Sequence, residues 1–112
     1  MEVKDIRIIQ LPLFTDLVSG LLSDLEFWEL QDALAERPDA GPLIPGGKGL
    51  RKLRWNLKAR GRGKRGGARV IYYWRRSPAL LCFVTIFAKS RQADLTPRQL
   101  KRLAWEVEEQ IK

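Results

Sequence analysis

The clearest period-two pattern in the chain runs from Leu50 to Leu57, where Leu53, Trp55 and Leu57 alternate with Lys52, Arg54 and Asn56. Successive side chains on a strand point to opposite faces, so this segment predicts a half-buried strand with two cations on its exposed face. Arg69 to Trp74 predicts a second such strand, with Val70, Tyr72 and Trp74 on one face and Arg69, Ile71 and Tyr73 on the other. Leu80 to Lys89 follows the turn at Ser77-Pro78. It is apolar nearly throughout, as expected for a strand covered on both faces at the centre of a sheet. A further strand is expected from Val3 to Leu13, with Pro12 near its end in an edge position.

Helical signals occupy the two ends of the chain. Thr15 to Leu22 predicts one or two turns, and Ser23-Asp24-Leu25-Glu26 has the spacing of a capping box, which opens a second helix. In that helix Phe27, Leu30 and Leu34 compete with Leu25, Trp28, Ala33 and Ala35, so a broad buried face is expected. Arg37-Pro38 ends it. Thr96-Pro97-Arg98-Gln99 is a second capping box with proline at the first helical position, and Leu100, Leu103, Val107 and Ile111 form one stripe behind it. Residues 38–49, with three prolines and four glycines, and Lys58 to Gly67 are expected as loops. The element order is that of an α+β domain with two N-terminal helices and one C-terminal helix.

Charge changes this picture more than composition does. At 112 residues with 45% hydrophobic content, the chain suits one domain, 1–112, with a single core. Between Asp39 and Asp94 there is no acidic residue, and that window holds 14 of the 21 Lys and Arg residues. It therefore carries +14 while the remainder carries −6, within a net charge of +8. A surface so polarised suits a polyphosphate partner. The first residues lack the pattern of a secretory signal, and the longest apolar run, Ala79 to Ala88, is about half of the roughly 20 residues a membrane helix needs. A cytoplasmic protein is expected. The single cysteine, Cys82, lies in that run and reads as a buried small hydrophobe.

The candidate chemistry is narrowed by what is missing. There is no histidine, and the basic window has no carboxylate, so neither a zinc cluster nor an acidic pair for Mg²⁺ is expected there, and no cofactor. Gly61-Arg62-Gly63-Lys64-Arg65-Gly66 matches a dinucleotide fingerprint in spacing, but a strand follows it where the fingerprint needs a helix. Its glycines suit a turning loop whose cations reach phosphate or water. Proton transfer in the basic face falls to lysines and tyrosines, because arginine stays protonated. Trp55 and Trp74 sit on the apolar sides of their strands and are expected in the core. Tyr73 shares a face with Arg69, placing it to stack on a base or donate a proton.

Three segments together resemble a known family. Gly49 to Trp55 (Gly-Leu-Arg-Lys-Leu-Arg-Trp), Gly61 to Tyr73 (Gly-Arg-Gly-Lys-Arg-Gly-Gly-Ala-Arg-Val-Ile-Tyr-Tyr) and Phe87 to Lys89 (Phe-Ala-Lys) resemble the HigB-like branch of the RelE superfamily of bacterial toxins, as does Asp94-Leu95-Thr96 before the last helix. The middle block is specific to that branch, and the N-terminal third matches by pattern alone. The resemblance implies a small RelE-like microbial RNase fold, α+β with an antiparallel-rich four-stranded sheet. It also implies a type II toxin that cleaves mRNA in the ribosomal A site and is held inactive by a cognate antitoxin. The family's basic strand pair falls on Lys52 and Arg54, the arginine opening its third strand on Arg69, and the lysine after its fourth strand on Lys89, with Arg91 a stand-in for a nearby arginine. This chain departs from the branch at Phe87, where a tyrosine is usual, and it has no tyrosine after Lys89.

The expected activity is a metal-independent, ribosome-dependent endoribonuclease leaving a 2′,3′-cyclic phosphate and a 5′-OH. Lys52, Arg54, Arg69, Tyr73 and Lys89 are its candidate catalytic residues, and Arg51, Arg62, Lys64, Arg65 and Arg91 its candidate contacts to RNA. Its expected partners are an antitoxin, the ribosome and mRNA. A topoisomerase-poisoning toxin of the same fold and a non-catalytic RNA-binding module remain the rival readings.

Overall fold

The computed structural model describes residues 5–56 and 67–112, and within them cap chemistry and hydrophobic periodicity set the element boundaries. The elements are β1 (Arg7–Gln10), α1 (Pro12–Val18), α2 (Asp24–Glu36), β2 (Leu50–Trp55), β3 (Ala68–Arg75), β4 (Leu80–Ala88) and α3 (Pro97–Gln110). The sheet runs in the order β1-β4-β3-β2, with β2, β3 and β4 antiparallel in turn and β1 parallel to β4. The architecture is thus α+β with a mixed four-stranded sheet and three helices, and β4 is internal as its apolar run requires.

The first strand is shorter than its hydrophobic pattern predicts. Pro12 opens α1 instead of closing an edge strand, because its missing N–H and fixed φ suit the first position of a helix. β1 is still an edge strand, with β2 at the opposite edge. Both capping boxes form. Ser23 accepts from the Glu26 amide while Glu26 Oε1 accepts from the Ser23 amide at 2.8 Å, and Thr96 and Gln99 repeat the arrangement.

Two hydrophobic clusters lie on the two faces of the sheet. Phe14, Val18, Leu30 and Leu34 from α1 and α2 pack on Val70, Tyr72, Leu81, Phe83 and Ile86, with Leu53, Trp55 and Trp74 at the margin. Both strand tryptophans therefore pack against the core from its edge, half-buried. The buried stripe of α2 is narrower than expected: Phe27, Leu30 and Leu34 face the sheet, while Leu25 and Trp28 stand in solvent. On the opposite face Leu103 and Val107 of α3 cover Leu50, Ile71, Cys82 and Val84, and Leu100 and Ile111 extend the contact. Pairing jumps from Ile71↔Thr85 to Tyr72↔Phe83, so Val84 is an extra residue on β4, a bulge that adds one more side chain to the α3 cluster.

The 38–49 connector is tied down at its start. Tyr72, fully buried, donates its hydroxyl to the Pro38 carbonyl at 2.7 Å and accepts from the Gly41 amide at 2.9 Å. A Cβ on Gly41 would meet the Lys52 carbonyl oxygen at 2.9 Å and the Tyr72 ring at 3.0 Å, so only glycine lets the loop lie this close to β2. Among the described residues no helix is long and apolar enough to cross a membrane.

Candidate nucleic-acid interface

The site is built from two adjacent rows of one sheet face. In the first, Arg54 stands opposite Arg69, and Arg69 stands opposite Phe87. In the next, Lys52 stands opposite Ile71, and Ile71 opposite Thr85. Because side chains alternate along each strand, Lys52, Arg54 and Arg69 share the face on which α3 packs. The α3 cluster covers the rows farther along, from Ile71 to Tyr73 and Leu50, and leaves the three cations beside the start of that helix.

Their environments differ in ways the alternating pattern does not reveal. Arg54 is exposed and has no hydrogen bond or ion pair among the described residues. Arg69, read as an outward-facing cation, is only 5% exposed, with one guanidinium nitrogen 3.5 Å from the Ala68 carbonyl oxygen. Its cross-strand neighbour on β4, Phe87, packs against the α3 cluster on the same face. Like charges directly opposed across a strand pair repel one another.

Lys52 has a partner that the charge distribution along the chain conceals. Its ammonium donates to Asp94 Oδ2 at 3.0 Å, with the two side chains 31% and 59% exposed. Asp94 ends the acid-free window in sequence and returns to it in space. The Lys52 hydrogen bond, then the Leu95 amide, and more weakly the charge of Arg69 hold its carboxyl below the usual carboxylate range. The turn before α3 fixes it: Asp94 Oδ1 accepts from the Leu95 amide at 2.8 Å, and its carbonyl accepts from Gln92 Nε2, also at 2.8 Å. A carboxylate just ahead of a capping box, in the Asp-Leu-Thr segment, was the available sequence signal.

The other candidates divide. Arg51 is committed to the connector, donating to the Gly41 carbonyl at 2.8 Å and more distantly to that of Asp39, so its first role is structural. Tyr73 lies four residues from Arg69 along β3, about 13 Å at the usual strand rise. It packs in the α3 cluster, pairs with Leu50 and lies against Gly49. The shared face with Arg69 is real, yet the helix closes it between them, and Tyr73 is not part of the cation rows. Lys89 is exposed just past β4, and its amide donates to Gly67 at 3.0 Å. Arg91 is exposed in the following turn. Arg62, Lys64 and Arg65 lie outside the described residues.

Gly67 returns the chain to β3 beside the cations. It holds φ at +55°, and a Cβ there would fall 2.3 Å from the Trp55 carbonyl oxygen. Both the left-handed backbone and the contact demand glycine. Cys82 is fully buried, and desolvation pushes its thiol up to about 11, which suits packing and not nucleophilic chemistry. No protein-family model matches the chain.

Proposed function

We propose that this protein is a ribosome-dependent, metal-independent endoribonuclease toxin, controlled by a cognate antitoxin. The observation that carries the reading is the cation triad: Lys52, Arg54 and Arg69 in adjacent rows of one sheet face, with the two arginines opposed in register. The resemblance of the segments bearing these residues to HigB-like toxins supports it. In the reaction the ribose 2′-hydroxyl gives up its proton to water as its oxygen attacks the adjacent phosphorus in line, the P–O5′ bond breaks, the departing 5′-oxygen takes up a proton, and a 2′,3′-cyclic phosphate and a 5′-OH result. Arg54 and Arg69 grip the scissile phosphate and stabilise its developing charge, an effect worth roughly 3 to 4 kcal/mol per well-placed donor. Lys52 meets its neighbour as a hydrogen-bond-donating ammonium, which suits an electrostatic role towards the reacting oxygens. Lys89 is the candidate proton donor to the 5′-oxygen.

With no histidine, such a site has acids and bases poorly matched to neutral pH. Orientation must then supply much of the acceleration, and effective molarities contribute roughly 7 to 11 kcal/mol. An mRNA held in the decoding centre provides that orientation; free RNA does not. The test compares a programmed ribosome complex with the same mRNA alone, with EDTA added only to the free-RNA reaction. Cleavage confined to the ribosome complex is expected. Fast cutting of naked RNA that EDTA abolishes would overturn the mechanism.

A second reading has an observation of its own. Phe87 has no hydroxyl, and Tyr73 packs under α3, so no tyrosine among the described residues stands in the triad rows. That favours a non-catalytic RNA-binding module, and the absence of any new mRNA 5′ ends on translating ribosomes would select it.

A further inference from the structure

We propose that Asp94 is an internal stand-in for a substrate phosphate: it occupies Lys52 in the free protein and must be displaced before that lysine can bind RNA. This inference rests on the RNA-directed reading of the triad and names the residue that sets its selectivity. The Lys52 ammonium donates to Asp94 Oδ2 at 3.0 Å, a contact a phosphate oxygen would make equally well. The carboxylate also lies within the field of Arg69, which adds weakly to the pull of Lys52. No other acidic residue occurs between Asp39 and Asp94, so its place at the triad comes from the fold and not from a surplus of acids.

Two features make Asp94 a competitor and not a permanent partner. The pair is substantially exposed, 31% and 59%, and exposed ion pairs are weak enough for a stronger anion to break. The carboxylate is nonetheless presented at high local concentration, because the Leu95 amide and Gln92 hold its turn. An isolated phosphate gains little by displacing it. A strand already positioned so that Arg54 and Arg69 engage it at the same time outcompetes it. The protein thereby discriminates against loosely held RNA, which its charge would otherwise attract.

The test uses a fluorescent 2′-O-methyl RNA oligonucleotide, which cannot undergo 2′-hydroxyl attack, titrated against the full-length protein over a range of salt. Asp94→Asn is expected to bind about two- to fivefold more tightly, the affinity equivalent of an exposed ion pair. Its log K against log salt slope should steepen by about 0.7, one extra single-strand phosphate contact. In a Lys52→Gln background the same change should lose most of that gain. Asp94→Ser, which also offers an acceptor to Leu95, repeats the measurement should Asn disturb the turn. Unchanged or weaker binding in both variants, or an equal gain in the Lys52→Gln background, overturns the proposal. Ribosome cleavage by the same panel reads the parent function separately. If the wild-type protein fails to cut while the binding shifts appear, the nuclease reading falls and the competitor stands; if it cuts and neither Asp94 variant binds more tightly, the competitor alone falls.

Discussion

Replacing Tyr72 by phenylalanine removes one oxygen and leaves two backbone groups without a partner. The Gly41 amide loses its acceptor and the Pro38 carbonyl loses its donor, at 2.9 and 2.7 Å. A buried group stripped of its partner costs about 1 to 3 kcal/mol. Gly41 is buried, so its amide bears that cost in full, whereas Pro38 is half-exposed and its carbonyl can turn to water. A net loss of about 2 to 3 kcal/mol follows. For a chain of this size that corresponds to a fall in Tm of roughly 8 to 12 °C. Urea unfolding should show a lower midpoint at an unchanged slope, since the surface exposed on unfolding is the same. Tyr73→Phe is the control: its ring packs under α3 and its hydroxyl has no hydrogen bond among the described residues, so a change within about 0.5 kcal/mol is expected. A Tyr72→Phe loss no larger than that of the control would refute the claim that this hydroxyl anchors the connector.

Arg54→Gln should leave stability unchanged or raise it by up to about 0.5 kcal/mol, because it removes a like charge opposite Arg69; it should also lessen the salt dependence of RNA binding by about 0.7. Thermal melts and salt titrations check both, and a clear loss of stability would contradict the opposed-cation account. Gly67→Ala should cost at least about 2 kcal/mol from its left-handed φ and the clash with Trp55, read by urea unfolding. Cys82 should resist Ellman's reagent in the native protein at pH 8, since its thiol titrates near 11, and react fully in denaturant. Co-purified antitoxin should cover the Lys52 to Arg69 face or block ribosome docking, and a complex doing neither would contradict the proposed control.

The parts of the fold legible in the sequence are those fixed by neighbours in the chain. Both capping boxes, the end of α2 before Pro38 and the stripe of α3 are local, and all four form. Pro12 shows where local reading divides: the same residue suits an edge strand and a first helical position, and packing of Phe14 and Val18 on the sheet decides for the helix. Strand alternation placed Arg69 and Tyr73 on one face correctly but said nothing of what covers it. Whether a cation is exposed, buried or paired depends on contacts between residues far apart in sequence. The meeting of Lys52 and Asp94 is of that kind, and so is the use of Arg51 to hold the connector.

The parallel pairing of β1 has a consequence for the order in which the protein takes shape during its own synthesis. Arg7 pairs with Leu80, a partner made 73 residues later. At translation rates of roughly 5 to 20 residues per second, β1 waits about 4 to 15 s before its neighbour in the sheet exists. Leu11, just after it, packs in the cluster closed by Leu103 and Val107, which are made later still. The β2–β3 hairpin needs only residues made well before β4, and non-local pairings are the slow ones to form. Of the four strands β1 is therefore the one that waits longest for its neighbour in the sheet.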